Sequence, residues 1–285
     1  MKPAAFRATL VNIVGNTLLF VLKIWVALLS GSIALLSDAF NSLTDMASSV
    51  AVFICVRISA EEADEGHPFG HKRAEPIAGI IIAVLAGILG FEVIKASAER
   101  VLYGGGGETV VGWLAFAVLL LTMVVKTGMA WYFRVVGRAV RSPAIQASSV
   151  DSFCDVMVSG AALVGIAGVK LGYPILDPLA GFLISLWIIY TGYTIGMENV
   201  DYLMGKAPPK KLTDEIKAAA LSVEGVKDIN TVRAHYVGNF IHVEIHIEVA
   251  KYLSTFDSHT IGKEVERAVE RIEAIEKSFI HIDPV

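Results

Sequence analysis

The chain has 285 residues, 54% of them hydrophobic and only 18% charged, with a formal net charge of −4. A soluble domain of this size carries about a quarter charged residues, so the composition excludes an ordinary soluble protein and makes lipid part of the expected solvent. No nucleic-acid partner is expected, and the two cysteines, Cys55 and Cys154, lie in apolar runs without CxxC spacing, so neither a disulfide framework nor a thiolate metal site is read from them.

The N-terminal residues lead straight into an apolar stretch without a small-residue cleavage site, so no cleaved signal is expected. Apolar segments long enough to cross about 30 Å of hydrocarbon as helices follow in chain order. They fall near residues 9–30, 33–58, 76–98, 110–133, 144–169 and 174–197, separated by polar or glycine-rich connections. Lys2, Arg7, Lys72, Arg73, Arg134, Arg138 and Arg141, with Lys206, Lys210 and Lys211 after the sixth span, crowd one side. The opposite loops offer only Arg100 and Lys170, which predicts that both termini face the cytoplasm. The compact length suggests a prokaryotic inner membrane.

The run Gly205-Lys206-Ala207-Pro208-Pro209 reads as a boundary, giving a transmembrane domain over 1–205 and a cytosolic domain over 206–285. The tail is predicted as helix (212–223), strand (226–236), strand (239–249), helix (256–275) and short strand (279–283). Ile241, Val243, Ile245, Ile247 and Val249 alternate with His242, Glu244, His246 and Glu248, the mark of a half-buried strand. The expected fold class is therefore a six-helix membrane domain plus a small α+β cytosolic domain with one sheet face open.

Carboxylates in the middle of a membrane helix cost several kcal/mol unless paired, solvated or liganded. The second span holds Asp38, Asn41 and Asp45, and the fifth holds Asp151 and Asp155. Asn41 and Asp45 are four residues apart, as are Asp151 and Asp155, so each pair projects from one helix face. If the faces meet, three carboxylates and one amide oxygen converge, and such crowded charges need protons or a cation. Oxygen donors alone suit a hard or borderline dication, which favours Mn²⁺, then Fe²⁺. Asp38 is left outside this set. Asp64, His67 and His71, with Gly66 and Gly70 between them, can wrap a second metal in the connection between spans two and three. Lys23 and Lys126 are expected to snorkel or to meet a carboxylate, and Glu92 and Lys95 to pair along one helix.

Four pieces occur in order: Ser37-Asp38-Ala39-Phe40-Asn41-Ser42-Leu43-Thr44-Asp45, His67-Pro68-Phe69-Gly70-His71 with Glu75, Asp151 with Asp155, and Ile280-His281-Ile282-Asp283-Pro284. Together they resemble the cation diffusion facilitator family over nearly the whole chain. The resemblance implies six transmembrane helices and a ferredoxin-like (metallochaperone-like) cytosolic domain. It also implies a homodimer in lipid that exports divalent metal cations in exchange for protons, with metal as substrate and no prosthetic group. It places the family's transport tetrad on Asn41, Asp45, Asp151 and Asp155. Zinc members typically carry a histidine there, whereas Asn with three Asp resembles the manganese type, so the expected order is Mn²⁺, Fe²⁺, then Zn²⁺ or Co²⁺. The family's loop site matches Asp64, His67 and His71. A site between protomers matches His246, His259, His281 and Asp283, although Lys227 stands where those members carry a further histidine.

Neither an HExxH motif nor a Ser/His or Cys/His nucleophile pair lies in the spans, so an enzyme is not expected. The alternative is a membrane-tethered metal sensor that signals through its tail without transport.

Overall fold

The computed structural model describes residues 3–30, 33–103, 113–171, 173, 175–238 and 240–285. It divides into two compact units at Val200 and Asp201. The first is built from α1 (Pro3–Ser30), α2 (Ile33–Ser59), α3 (Ala74–Tyr103), α4 (Trp113–Val140), α5 (Pro143–Lys170) and α6, which spans Leu176–Leu203. Helices satisfy every internal backbone group within one segment, which is what a chain without water contacts requires. Among the described residues, α1, α2, α3, α4 and α6 contain stretches long and apolar enough to cross a membrane. The α5 helix carries Asp151 and Asp155.

The fourth helix departs from expectation. It runs to Val140 rather than ending near residue 133, and residues 110–112 lie outside the described residues. Hydropathy marks where lipid ends, not where a helix does: Arg134 and Arg138 can continue the helix with their heads in water. The expected connection over 137–143 shrinks to Arg141 and Ser142, and the turn closes with Arg141 in the left-handed region at φ 57°.

Helix α5 touches α1, α2, α3 and α4, which makes it the centre of the unit. One apolar core joins Ala5 and Ala8 of α1, Val52 and Val56 of α2, Ile82 of α3, Phe133 of α4 and Ile145 of α5. A second joins Ala86, Cys154 and Ile188, so Cys154 packs as a small hydrophobe. Lys95 and Glu92 are both exposed on α3, and no ion pair joins them among the described residues.

The second unit contains α7 (Lys210–Leu221), β1 (Asp228–Val237), β2 (Phe240–Val249), α8 (Thr255–Glu270) and β3 (Ile275–Pro284). The sheet order is β1-β2-β3, with β1 antiparallel and β3 parallel to the central β2. Ile241, Val243, Ile245, Ile247 and Val249 face a core shared with Ile216, Ala220, Val265 and Val269, so both helices cover one face of the sheet. Two boundaries move. The α8 helix stops at Glu270 instead of 275, and β3 begins at Ile275 instead of 279. Val265, Val269 and Ile272 keep helical spacing, which extended the sequence reading. Pairing of Ile275 with Ile241 and Lys277 with His242 instead satisfies the second edge of β2.

Candidate metal centre

In the first unit, Asp45 of α2 and Asp151 and Asp155 of α5 each offer a carboxylate oxygen, all within 4.8 Å of one another. Contact between α2 and α5 brings the two i,i+4 faces together. Donor atoms 2.0–2.2 Å from one ion stand at most about 4.4 Å apart, so a slight contraction would close these three around a metal. Asp155 is buried, and Asp45 and Asp151 are half-buried. The side chains of Asp38 and Asn41 lie outside the described residues, although both positions belong to α2.

Lys126 of α4 reaches this cluster. Its Nζ donates to Asp45 Oδ2 at 2.9 Å and to Asp155 Oδ2 at 2.5 Å, and its side chain is 2% exposed. Lys23 of α1 also lies near enough to act on Asp155 electrostatically. Of the two outcomes the sequence left open for Lys126, the structure selects the carboxylate. No spacing within α4 could reveal that, because the partners come from two other helices.

A chain of buried amides and hydroxyls adjoins the carboxylates. Ser49 Oγ donates to the Asp45 carbonyl at 2.7 Å and accepts from Asn16 Nδ2 at 2.6 Å. Asn16 Nδ2 also donates to Asn12 Oδ1 at 3.0 Å, and Asn12 Nδ2 donates to Ser148 Oγ at 3.3 Å. Asn16 Oδ1 is buried without a hydrogen-bond partner among the described residues. The bonds of Asn12 and Asn16 tie α1 to α2 and α5. Glu75 was noted only as part of a motif. It is buried and accepts from Ser59 Oγ at 3.2 Å and from Ser142 Oγ, tying the start of α3 to the end of α2 and the approach to α5.

The connection between α2 and α3 assembles Asp64, His67 and His71, with one donor atom from each within 4.8 Å of the others. Gly70 has φ +77°, and its N–H donates to the His67 carbonyl at 2.9 Å, closing the turn that brings the two imidazole centroids to 4.3 Å with their planes tilted by 50°. The His67 backbone N–H donates to Asp64 Oδ1 at 2.6 Å and holds the exposed Asp64 carboxyl below the usual carboxylate range, with the two imidazoles adding to the effect.

In the second unit, strand register does the assembling. His246 of β2 is paired with His281 of β3, and Glu248 with Asp283. Asp283 lies 3.6 Å from His246 Nδ1 and 3.2 Å from His281 Nε2, while His246 Nε2 stands 3.2 Å from Glu244 Oε1. One donor from each of His246, His281 and Asp283 falls within 4.8 Å of the others. His259 does not join them. It is exposed on α8, which packs against Ile280 and Ile282 on the opposite face of the sheet. Lys227 donates from Nζ to the Val285 carbonyl at 3.3 Å. Mixed imidazole and carboxylate donors at these spacings fit a borderline ion such as Zn²⁺ in both peripheral clusters.

Comparison with known proteins shows the family. Residues 9–204 match the cation efflux transmembrane domain, and residues 208–285 match the cation efflux protein cytoplasmic domain. An uncharacterized transporter of Methanocaldococcus jannaschii is 36% identical over 98% of both chains. The manganese efflux system protein MneS of Bacillus subtilis is 30% identical over 97% of this chain and 94% of its own. The cation-efflux pump FieF of Yersinia enterocolitica is 30% identical over all of this chain and 93% of its own. With a helical membrane unit, a small α+β unit and both domain matches in sequence order, this chain belongs to the cation diffusion facilitator family of cation efflux transporters, which are not enzymes.

Proposed function

We propose that this chain exports divalent first-row transition metals from the cytoplasm in exchange for protons, with Mn²⁺ as preferred substrate, Fe²⁺ next, then Zn²⁺ and Co²⁺. The observation that carries the reading is the meeting of Asp45, Asp151 and Asp155 inside the helical unit. Asn41 completes the tetrad from the turn of α2 preceding Asp45. Three carboxylates and an amide are oxygen donors only, which favours Mn²⁺ over ions that prefer imidazole. MneS, a relative along nearly the full chain, is a manganese efflux protein by name, which supports the same choice.

Proton exchange follows from crowding. Carboxylates this close shed their repulsion by taking up either protons or a dication, so metal arriving on one side releases protons and protons arriving on the other release metal. The Lys and Arg distribution supports a cytoplasmic side for both termini, the Asp64–His71 loop and the tail, in what we take to be a prokaryotic inner membrane. The loop would recruit metal there, and the tail, over 206–285, would sense it and join two copies into a homodimer.

A second reading is a tethered sensor without transport, favoured by the His246, His281 and Asp283 cluster. Reconstituted vesicles with an imposed pH gradient separate the two. Uptake of Mn²⁺, Fe²⁺, Zn²⁺, Co²⁺ and Cd²⁺ is compared for the wild type and Asn41→His. Preferred Mn²⁺ flux that shifts toward Zn²⁺ in the variant supports transport through this tetrad. Preferred Zn²⁺ in the wild type overturns the oxygen-donor argument, and no flux of any ion moves the function to sensing.

A further inference from the structure

The carboxylates that would hold the substrate already hold a cation. Lys126 Nζ lies on Asp45 Oδ2 and Asp155 Oδ2, one oxygen from each of the two helices that build the site. Its field reaches Asp151 as well. The ammonium is buried and strongly hydrogen-bonded there, with α4 delivering it from outside the α2–α5 pair. A dication at bonding distance from those two oxygens would lie a few ångströms from the ammonium already on them, and two such charges repel strongly in a buried site.

We propose that Lys126 is a tethered competitor for the substrate site: its ammonium bridges Asp45 and Asp155 when no metal is bound, offsetting one of their negative charges while protons meet the rest, and it must leave them for the metal to bind. The inference rests on the reading of Asp45, Asp151 and Asp155 as the substrate site. Lys126 is a positioning residue in this account and never a metal ligand. Its presence reduces the apparent metal affinity by the fraction of sites it occupies, since only the remainder are competent. The penalty works against tight trapping, which suits a site that has to release its ion on the far side. It also favours an ion of higher charge. A dication replaces one positive charge with two, whereas an alkali ion replaces one with one and gains little.

A merely structural Lys126, holding α4 to α2 and α5, predicts the opposite behaviour on substitution. Losing it would loosen the site and weaken metal binding, and arginine would rescue it. Competition predicts that Lys126→Met tightens binding and that Lys126→Arg weakens it, because a guanidinium engages two carboxylates more firmly than an ammonium.

The experiment is equilibrium Mn²⁺ binding to the full chain in lipid nanodiscs, at alkaline pH so that protons compete least. It includes the wild type, Lys126→Met, Lys126→Arg and Asp155→Asn. We expect Lys126→Met to bind Mn²⁺ about tenfold more tightly than wild type, the change that follows if the ammonium holds about nine sites in ten. Lys126→Arg should bind more weakly than wild type, and Asp155→Asn should lose binding. The arginine variant retains a buried cation, so it gives the sign even if the methionine variant fails to fold. Arginine binding as tightly as wild type, or methionine binding no more tightly while Asp155→Asn is still silent, overturns the competitor and leaves the substrate site standing. Full binding by Asp155→Asn overturns the site itself, and the competitor with it.

Discussion

The carboxylate cluster of the helical unit and the histidine cluster of the sheet each gather three donors within 4.8 Å, yet they are held in opposite ways. Asp45, Asp151 and Asp155 come from two helices, with Asp155 buried and the other two half-buried, and a buried lysine is bonded to Asp45 and Asp155. His246, His281 and Asp283 come from two neighbouring strands, and His281 is exposed to water. Water reaches the second cluster at His281 and can solvate its charge whatever its occupancy. The first cannot be left charged and empty, so the charge that Lys126 does not offset must be met by protons or a metal. Donor count therefore does not separate a transport site from a sensing site. Burial does, because only a buried site couples the arrival of one cation to the departure of another.

The contrast can be broken most forcefully at Asp151. Asp151→Ala is expected to lower Mn²⁺ flux in proteoliposomes by about a hundredfold or more, the scale of losing one charged partner from a buried site. Flux that survives would mean that the buried cluster has no more to do with transport than the exposed one. Next is the core under the sheet. Ile245 is fully buried on β2, and Ile245→Ala should cost about 2–4 kcal/mol of the second unit's stability, read by its thermal unfolding in the full chain.

A smaller effect is expected at the exposed ligands. His281→Ala should weaken Zn²⁺ binding attributable to the tail by about tenfold, measured by titration calorimetry on a background of Asp155→Ala. An unchanged titration would remove metal from the tail's role. The smallest effect concerns the loop. Asp64 has its folded-state pKa depressed, so its contribution to loop order is complete at neutral pH and is lost only as pH falls below the ordinary carboxylate range. Amide exchange at His67, corrected for intrinsic rate, should therefore stay protected from neutral pH down to about pH 5 and be faster throughout in Asp64→Ala. Protection that fades well above that range would contradict the sign of the shift.

Much of this was legible in the sequence because the determinants are local. Period and length mark the spans, alternation marks β2, and four-residue spacing puts Asp151 and Asp155 on one face. The donors at Asp64, His67 and His71 lie within a single turn-rich connection, so their assembly needs no tertiary knowledge. What the sequence left open at Lys126 and did not show at Glu75 depends on neighbours. Lys126 finds carboxylates on two other helices, and Glu75 finds hydroxyls at Ser59 and Ser142. His259 matched a ligand position by resemblance, yet within one chain the sheet separates α8 from His246 and His281. The end of α8 was misplaced because Ile272 and Ile275 satisfy a helical period as well as the strand edge they serve.

The central claim is that Asp45, Asp151 and Asp155 exchange protons for metal, and the most direct test follows both ions at once. Vesicles containing the full chain, a trapped pH indicator and a Mn²⁺-sensitive dye are given external Mn²⁺, for the wild type beside Asp155→Ala. The account predicts Mn²⁺ uptake accompanied by proton release in the wild type, with both signals lost together in the variant. Uptake without proton movement, or an Asp155→Ala variant that still moves both, would contradict it.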